Sequence, residues 1–288
     1  MGSCLSVTVA RDRCYTRAFR AAGLRATDVT LGDGATVHIW VPRLPDRSRP
    51  ALVLLHGFGA TATWQWAPYL GPSSAPGSTS TYGGFVGYRV AALYPGAVER
   101  VVLICAGVCL EERDLAAGLF VVSDVADAAG ILLPQRPEKL RQLVRLTFCR
   151  PPRVMPTCFI RDYIQVMCRD YVKEKTELLH ALIHDRKLPD LPRITQPTLI
   201  IWGEQDRVFP LELAHRLKRH LDENCQMVVI KNAGHAVNLE KPKEVCKHIL
   251  AFFLDSGSQI STTGTWYNGL MFKNTFNEHV TDKHRSLR

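Results

Sequence analysis

The sequence predicts an α/β protein in which a mainly parallel sheet is flanked by helices and a helical lid is inserted late in the chain. Three observations carry this expectation. Segments at Ala51–Leu55, Val98–Ile104 and Pro197–Trp202 each contain an apolar stretch of four or five residues, at Ala51–Leu55, Val101–Ile104 and Leu199–Trp202, with the composition of strands buried on both faces. The first and third of these end at glycine-containing turns, at Gly57 and Gly203. Helical patterns fill the intervals, at Gly83–Pro95 between the first two runs and at Val245–Phe253 near the end of the domain.

Taken in order, Thr27–Val41 reads as two strands joined around the Asp33-Gly34 turn, the antiparallel opening of the sheet. The Ala51–Leu55 run breaks into His56-Gly57-Phe58-Gly59, and a short helix follows at Trp64–Leu70. Gly71–Ser80 is a Gly/Pro/Ser linker without an apolar run. Residues 111–193 are helical in pattern, with amphipathic stretches at Pro137–Leu146 and Phe159–Met167, and form the expected lid. A last strand lies at Met227–Ile230. The tail from Ser256 lacks periodicity and is expected to be disordered. The expected organisation is therefore a basic arm at 1–26, one domain at 27–255 and a tail at 256–288.

Chemistry concentrates at the C-terminal ends of the predicted strands. Asp206 follows Ile200-Ile-Trp-Gly203, and His235 follows Met227–Ile230 and a Gly234 turn. A carboxylate on one imidazole nitrogen fixes the tautomer and leaves the other nitrogen free to take a proton from a hydroxyl. The two residues, 29 apart, bracket one predicted helix. Upstream, Gly57 and Gly59 let the backbone approach a substrate and present N–H groups to an oxyanion.

The order His-Gly-Phe-Gly, then Asp, then His resembles the α/β-hydrolase superfamily. Ala60–Leu70 and Ile194–Pro242 look most like its plant-type members, and the resemblance spans roughly residues 27–255 in two pieces. It implies an α/β-hydrolase fold of carboxylic-ester hydrolase ancestry, with Asp206 and His235 in catalytic roles. It also implies oxyanion N–H groups from Phe58 and Tyr82, a small-molecule ester or hydrophobic ligand, and neither cofactor nor metal.

One part of the family pattern is altered. The nucleophile belongs in Gly-x-Ser-x-Gly on a strand-to-helix turn, whereas the chain reads Thr79-Ser80-Thr81-Tyr82-Gly83. Aligning the second glycine on Gly83 puts Thr81 in the nucleophile position, with Ser80 one residue out of register. Gly59 and Thr81 are also separated by only 21 residues. A strand, its crossover helix and a strand leading into the elbow need about 30. The central strand before the elbow is thus expected to be absent, and activity weak or lost. Two other readings stand beside this one: a non-catalytic ligand-binding or receptor-like protein, and a truncated isoform lacking function.

Composition places the chain among globular proteins. It has 288 residues, of which 46% are hydrophobic and 22% charged, and no apolar run reaches the roughly 18 residues of a membrane span. Nine cysteines without paired CxxC spacing argue against a disulfide framework or a zinc site and predict a reducing, cytoplasmic compartment. Of the net +9, the first 25 residues supply +4 through Arg11, Arg13, Arg17, Arg20 and Arg25 against Asp12. The remaining balance is ordinary and gives no support to nucleic-acid binding. Met1-Gly-Ser-Cys-Leu-Ser6 fits N-myristoylation at Gly2, with Cys4 as a palmitoylation candidate. That pattern predicts membrane-surface contact aided by the arginines.

Overall fold

The computed structural model describes residues 6–45, 51–70 and 79–254. Gly2, Cys4, the linker at 71–78 and the tail from residue 255 lie outside the described residues. The chain opens with α1 (Val7–Ala21), capped by the Ser6 hydroxyl, which accepts the Val9 N–H. Where a basic arm was expected, this helix packs against the body and buries Phe19.

Strands β1 (Leu24–Thr30) and β2 (Thr36–Pro42) pair antiparallel around a turn in which Gly34 takes φ +84° and the Asp33 carboxylate accepts the Ala35 N–H. The pair stands as a sheet of its own rather than opening the parallel one, a departure from expectation. Its residues are mostly exposed or half-buried, so no continuous buried face ties it to the parallel strands.

The parallel sheet has the order β3-β4-β5-β6. Its strands are β3 (Thr79–Ser80), β4 (Val101–Ile104), β5 (Thr198–Gly203) and β6 (Cys225–Ile230). Every residue of β4 and β5 is buried, as strands covered on both faces must be. The strand feeding the elbow survives as two residues, with Thr79 opposite Leu103 and Ser80 opposite Ile104.

Ala51–Leu55, expected as a buried strand, is not one. Among the described residues it pairs with no strand, and Val53 is 64% exposed. A strand needs a neighbour that offers a ladder of N–H and C=O groups, and the two residues of β3 are too short to provide one on top of their pairing with β4.

Helix α2 (Ala62–Trp66) follows the loop, and α3 (Thr81–Leu93) follows β3 directly. Between β4 and β5 the chain forms the expected helical insert. Its helices are α4 (Arg113–Ala116), α5 (Val125–Leu132), α6 (Pro137–Thr147), α7 (Thr157–Tyr163) and α8 (Val172–Ile183). Helix α9 (Leu211–Leu221) connects β5 to β6, and α10 (Val237–Glu240) and α11 (Pro242–Leu254) close the described chain. Leu103, Ile104, Ile200, Ile201 and Trp202 form the centre of the main core, with Leu213, Leu217 and Ile249 packed on the sheet.

Candidate active site

The C-terminal edge of the parallel sheet gathers the polar groups. β5 ends at Gly203 and turns through Asp206, whose N–H bonds back to the Gly203 carbonyl at 3.2 Å. The Asp206 side chain is wholly buried, and Oδ1 accepts the N–H groups of Val208 and Phe209 at 2.9 and 2.8 Å. These two bonds fix the carboxylate's rotamer. Oδ2 then meets Nδ1 of His235 at 2.8 Å. With Nδ1–H donated to the carboxylate, Nε2 of a neutral ring is the basic nitrogen. The Phe209 ring stands edge-on to the imidazole with centroids 5.5 Å apart, and Trp202 Nε1 anchors that segment by donating to the Phe209 carbonyl.

The turn carrying His235 requires close backbone approach from two sides. A Cβ on Gly203 would run into the Gly234 carbonyl, and one on Gly234 would lie 2.6 Å from the Thr147 carbonyl oxygen. Real Cβ atoms do not tolerate such contacts, so both positions demand glycine. The insert is bonded into the same turn, because Thr147 O accepts the Ala236 N–H at 3.0 Å. The Glu240 carboxylate accepts three backbone N–H groups, from Gly234 at 2.7 Å, Cys149 at 3.1 Å and Arg150 at 3.2 Å. Sequence reasoning did not identify Glu240. Its signal was a carboxylate closing the short α10 just beyond the Gly-His turn. Thr147 and Cys149 come from far along the chain and carry no local signal.

Cys105 sits directly after β4 with φ +46°, fully buried. Its sulfur, an Asp206 oxygen and a His235 nitrogen lie within 4.8 Å of one another. Burial first, and then the Asp206 carboxylate to which it donates, pushes the Cys105 thiol well above its ordinary pKa. It is thus a neutral hydrogen-bond donor beneath the acid. As a set of ligand-type atoms the three combine a soft sulfur, a borderline imidazole and a hard carboxylate, and Asp206 Oδ1 is already committed to two N–H groups.

On the other side of the site, the buried Gln65 accepts the Gly57 N–H at 2.7 Å through Oε1, which fixes the loop before Phe58. The Phe58 side chain packs against Ala129, Leu133 and Leu179 of the insert. Gly83 donates its N–H to the His56 carbonyl at 3.1 Å, and a Cβ there would lie 2.6 Å from Leu55. A Cβ on Gly84 would run into the Ala106 side chain. The two glycines therefore let the first turn of α3 wedge between the Phe58 loop and the end of β4. By backbone register the Ser80–Thr81 junction lies beside Ile104 and Cys105, at the same sheet edge as Asp206. The side chains of Ser80, Thr81 and Tyr82 lie outside the described residues. A separate cavity of about 480 Å³ lies between α3 and the segment around Arg186, and neither Asp206 nor His235 lines it.

Residues 34–248 match the model of the alpha/beta hydrolase family. The human protein named monoacylglycerol lipase ABHD6 is 27% identical over 183 residues, covering 60% of this chain and 52% of the relative. An uncharacterized hydrolase of Bacillus subtilis, YugF, is 32% identical over 80 residues, covering 28% of this chain and 29% of that one. The chain spans about half the length of the ABHD6 relatives it matches. Among solved structures, a membrane phospholipase A described as a bacterial virulence factor superposes with a TM-score of 0.64 at 20% identity, covering 86% of this chain and 92% of that one. Carboxylesterase CesB of Bacillus subtilis superposes at 0.58 and 18% identity, covering 86% and 100%. At these identities the structural likeness speaks for the fold.

Proposed function

Because the chain belongs to the alpha/beta hydrolase family, we propose that it is a weak carboxylic-ester hydrolase whose nucleophile position holds Thr81 in place of serine. The observation that carries this reading is the Asp206–His235 bond at 2.8 Å, with the other carboxylate oxygen pinned by Val208 and Phe209. Such an arrangement costs buried polar surface and is worth keeping where an imidazole must stay in one tautomer.

In this reading His235 Nε2 takes the Thr81 hydroxyl proton as the oxygen attacks the ester carbonyl. The N–H groups of Phe58 and Tyr82 hold the oxyanion. The imidazolium then protonates the departing alcohol, and water repeats the sequence on the acyl-enzyme. The extra methyl of Thr81 crowds the attack, and the two-residue β3 gives the elbow a short mount. Both act to slow the reaction. Relatives named as monoacylglycerol lipases, together with an insert that packs apolar groups around Phe58, favour a hydrophobic ester as substrate.

Hydrolysis of p-nitrophenyl acetate tests this reading: slow turnover that vanishes in His235→Ala supports it, and turnover indifferent to His235 refutes it. The unpaired Ala51–Leu55 run favours a second reading, in which the family pocket is kept for binding alone. Saturable binding of a medium-chain ester with no release of product is its signature.

A further inference from the structure

Helix α1 turns two different faces to its surroundings. Phe19 is buried against Trp40, and Tyr15 packs edge-on to Trp64. The only acid of the helix, Asp12, points inward and accepts the Trp64 indole N–H at 3.0 Å. The outward face keeps Arg13, Arg17 and Arg20, all exposed and spaced to line one side of the helix. Exposed Ala10, Cys14 and Ala21 lie next to them.

The insert continues this pattern. Helix α7 packs against both α1 and α6. From Arg136 to Arg161 the chain carries seven basic residues and one acid, Glu138, and Arg145, Arg150, Arg153 and Arg161 are exposed. Apolar side chains stand among these charges. The Thr8 N–H donates to Asp162 at 2.9 Å, which joins the start of α1 to α7. Beside this bond Val7 and Phe159 are 54% and 53% exposed, Phe159 lying one turn before Asp162. Val154 is 78% exposed.

We infer that α1 and the α6–α7 edge of the insert form a docking surface for an anionic lipid bilayer. The arginines meet lipid phosphates and carboxylates while their stems lie along the interface, and Val7, Val154 and Phe159 enter the headgroup region. A nucleic acid would engage the arginines and leave those apolar side chains in water, so the mixture of charge and exposed hydrocarbon selects lipid. The inference stands independently of the hydrolase reading, since it needs no turnover.

The test is co-sedimentation of the full chain with phosphatidylcholine vesicles, alone or containing about one-third phosphatidylserine, at low and high salt. Binding is expected only with phosphatidylserine and is expected to weaken as salt screens the arginines. Arg13→Gln/Arg17→Gln/Arg20→Gln should lower the partition on the order of a hundredfold. Phe159→Ser should weaken it severalfold without changing the salt dependence. The control Arg219→Gln/Lys243→Gln/Lys247→Gln removes the same charge from α9 and α11 and should leave binding intact. Circular dichroism would verify that each variant is folded. No binding by the unaltered protein, equal losses in the two triple variants, or equal binding to uncharged vesicles would overturn the inference.

Discussion

The Glu240 carboxylate holds the Gly234 N–H at 2.7 Å, one residue before His235, and with its remaining capacity holds the N–H groups of Cys149 and Arg150 on the insert. One side chain therefore sets both the imidazole's turn and the approach of the insert to it. Glu240→Gln keeps the size but replaces one acceptor oxygen with a donor that faces N–H groups. A loss of about 2 kcal/mol is expected, read as a lower urea midpoint at unchanged slope. An unaltered midpoint would show that the three bonds contribute nothing net.

Gly203 and Gly130 make a matched pair for a stability measurement. A Cβ at Gly203 meets the backbone of Gly234 and Ala233, whereas one at Gly130 in α5 meets nothing within 4 Å. Gly203→Ala should cost about 2–3 kcal/mol through forced backbone displacement. Gly130→Ala should be neutral or stabilise by about 0.5–1 kcal/mol through helix propensity. Thermal unfolding of both variants checks this, and a Gly203→Ala protein as stable as the parent would contradict the close approach.

What the sequence made legible was local. β4 and β5 read as buried strands because Val101–Ile104 and Leu199–Trp202 are wholly apolar, and every residue of both strands is indeed buried; the turns after β5 and β6 placed Asp206 and His235 at one edge. Ala51–Leu55 has the same composition and still forms no strand, because being a strand depends on a partner that a run's own residues do not encode. Helix α1 was hidden among arginines, since its buried face is narrow and relies on Trp40, Trp64 and Asp162. The tie between Thr147 and Ala236 joins distant parts of the chain and left no periodic trace.

The base of the insert is held by carboxylates whose grip depends on pH. Glu111 is buried, and burial alone raises its pKa. The Leu188 N–H and the Arg113 guanidinium together outweigh this and hold it below the usual value. A carboxyl with a depressed folded pKa contributes stability above its unfolded pKa and loses it as pH falls through the folded one. The stability gap between the parent and Glu111→Gln should therefore be widest near neutrality and close below about pH 4. Chemical denaturation across that range checks it, and a gap that persists undiminished in acid rules out the ionised carboxylate as its source.

The central claim is that Thr81 occupies the nucleophile position served by His235 and Asp206. The most direct measurement is p-nitrophenyl acetate hydrolysis by Thr81→Ser beside the parent. Removing one methyl group while keeping the hydroxyl should raise the rate by about tenfold or more, on the scale of a transition-state contact worth at least about 1.4 kcal/mol. The gain should disappear in Thr81→Ser/His235→Ala. No gain in Thr81→Ser, combined with loss of the parent's activity in Ser80→Ala, would contradict the account and assign the reaction to the neighbouring serine.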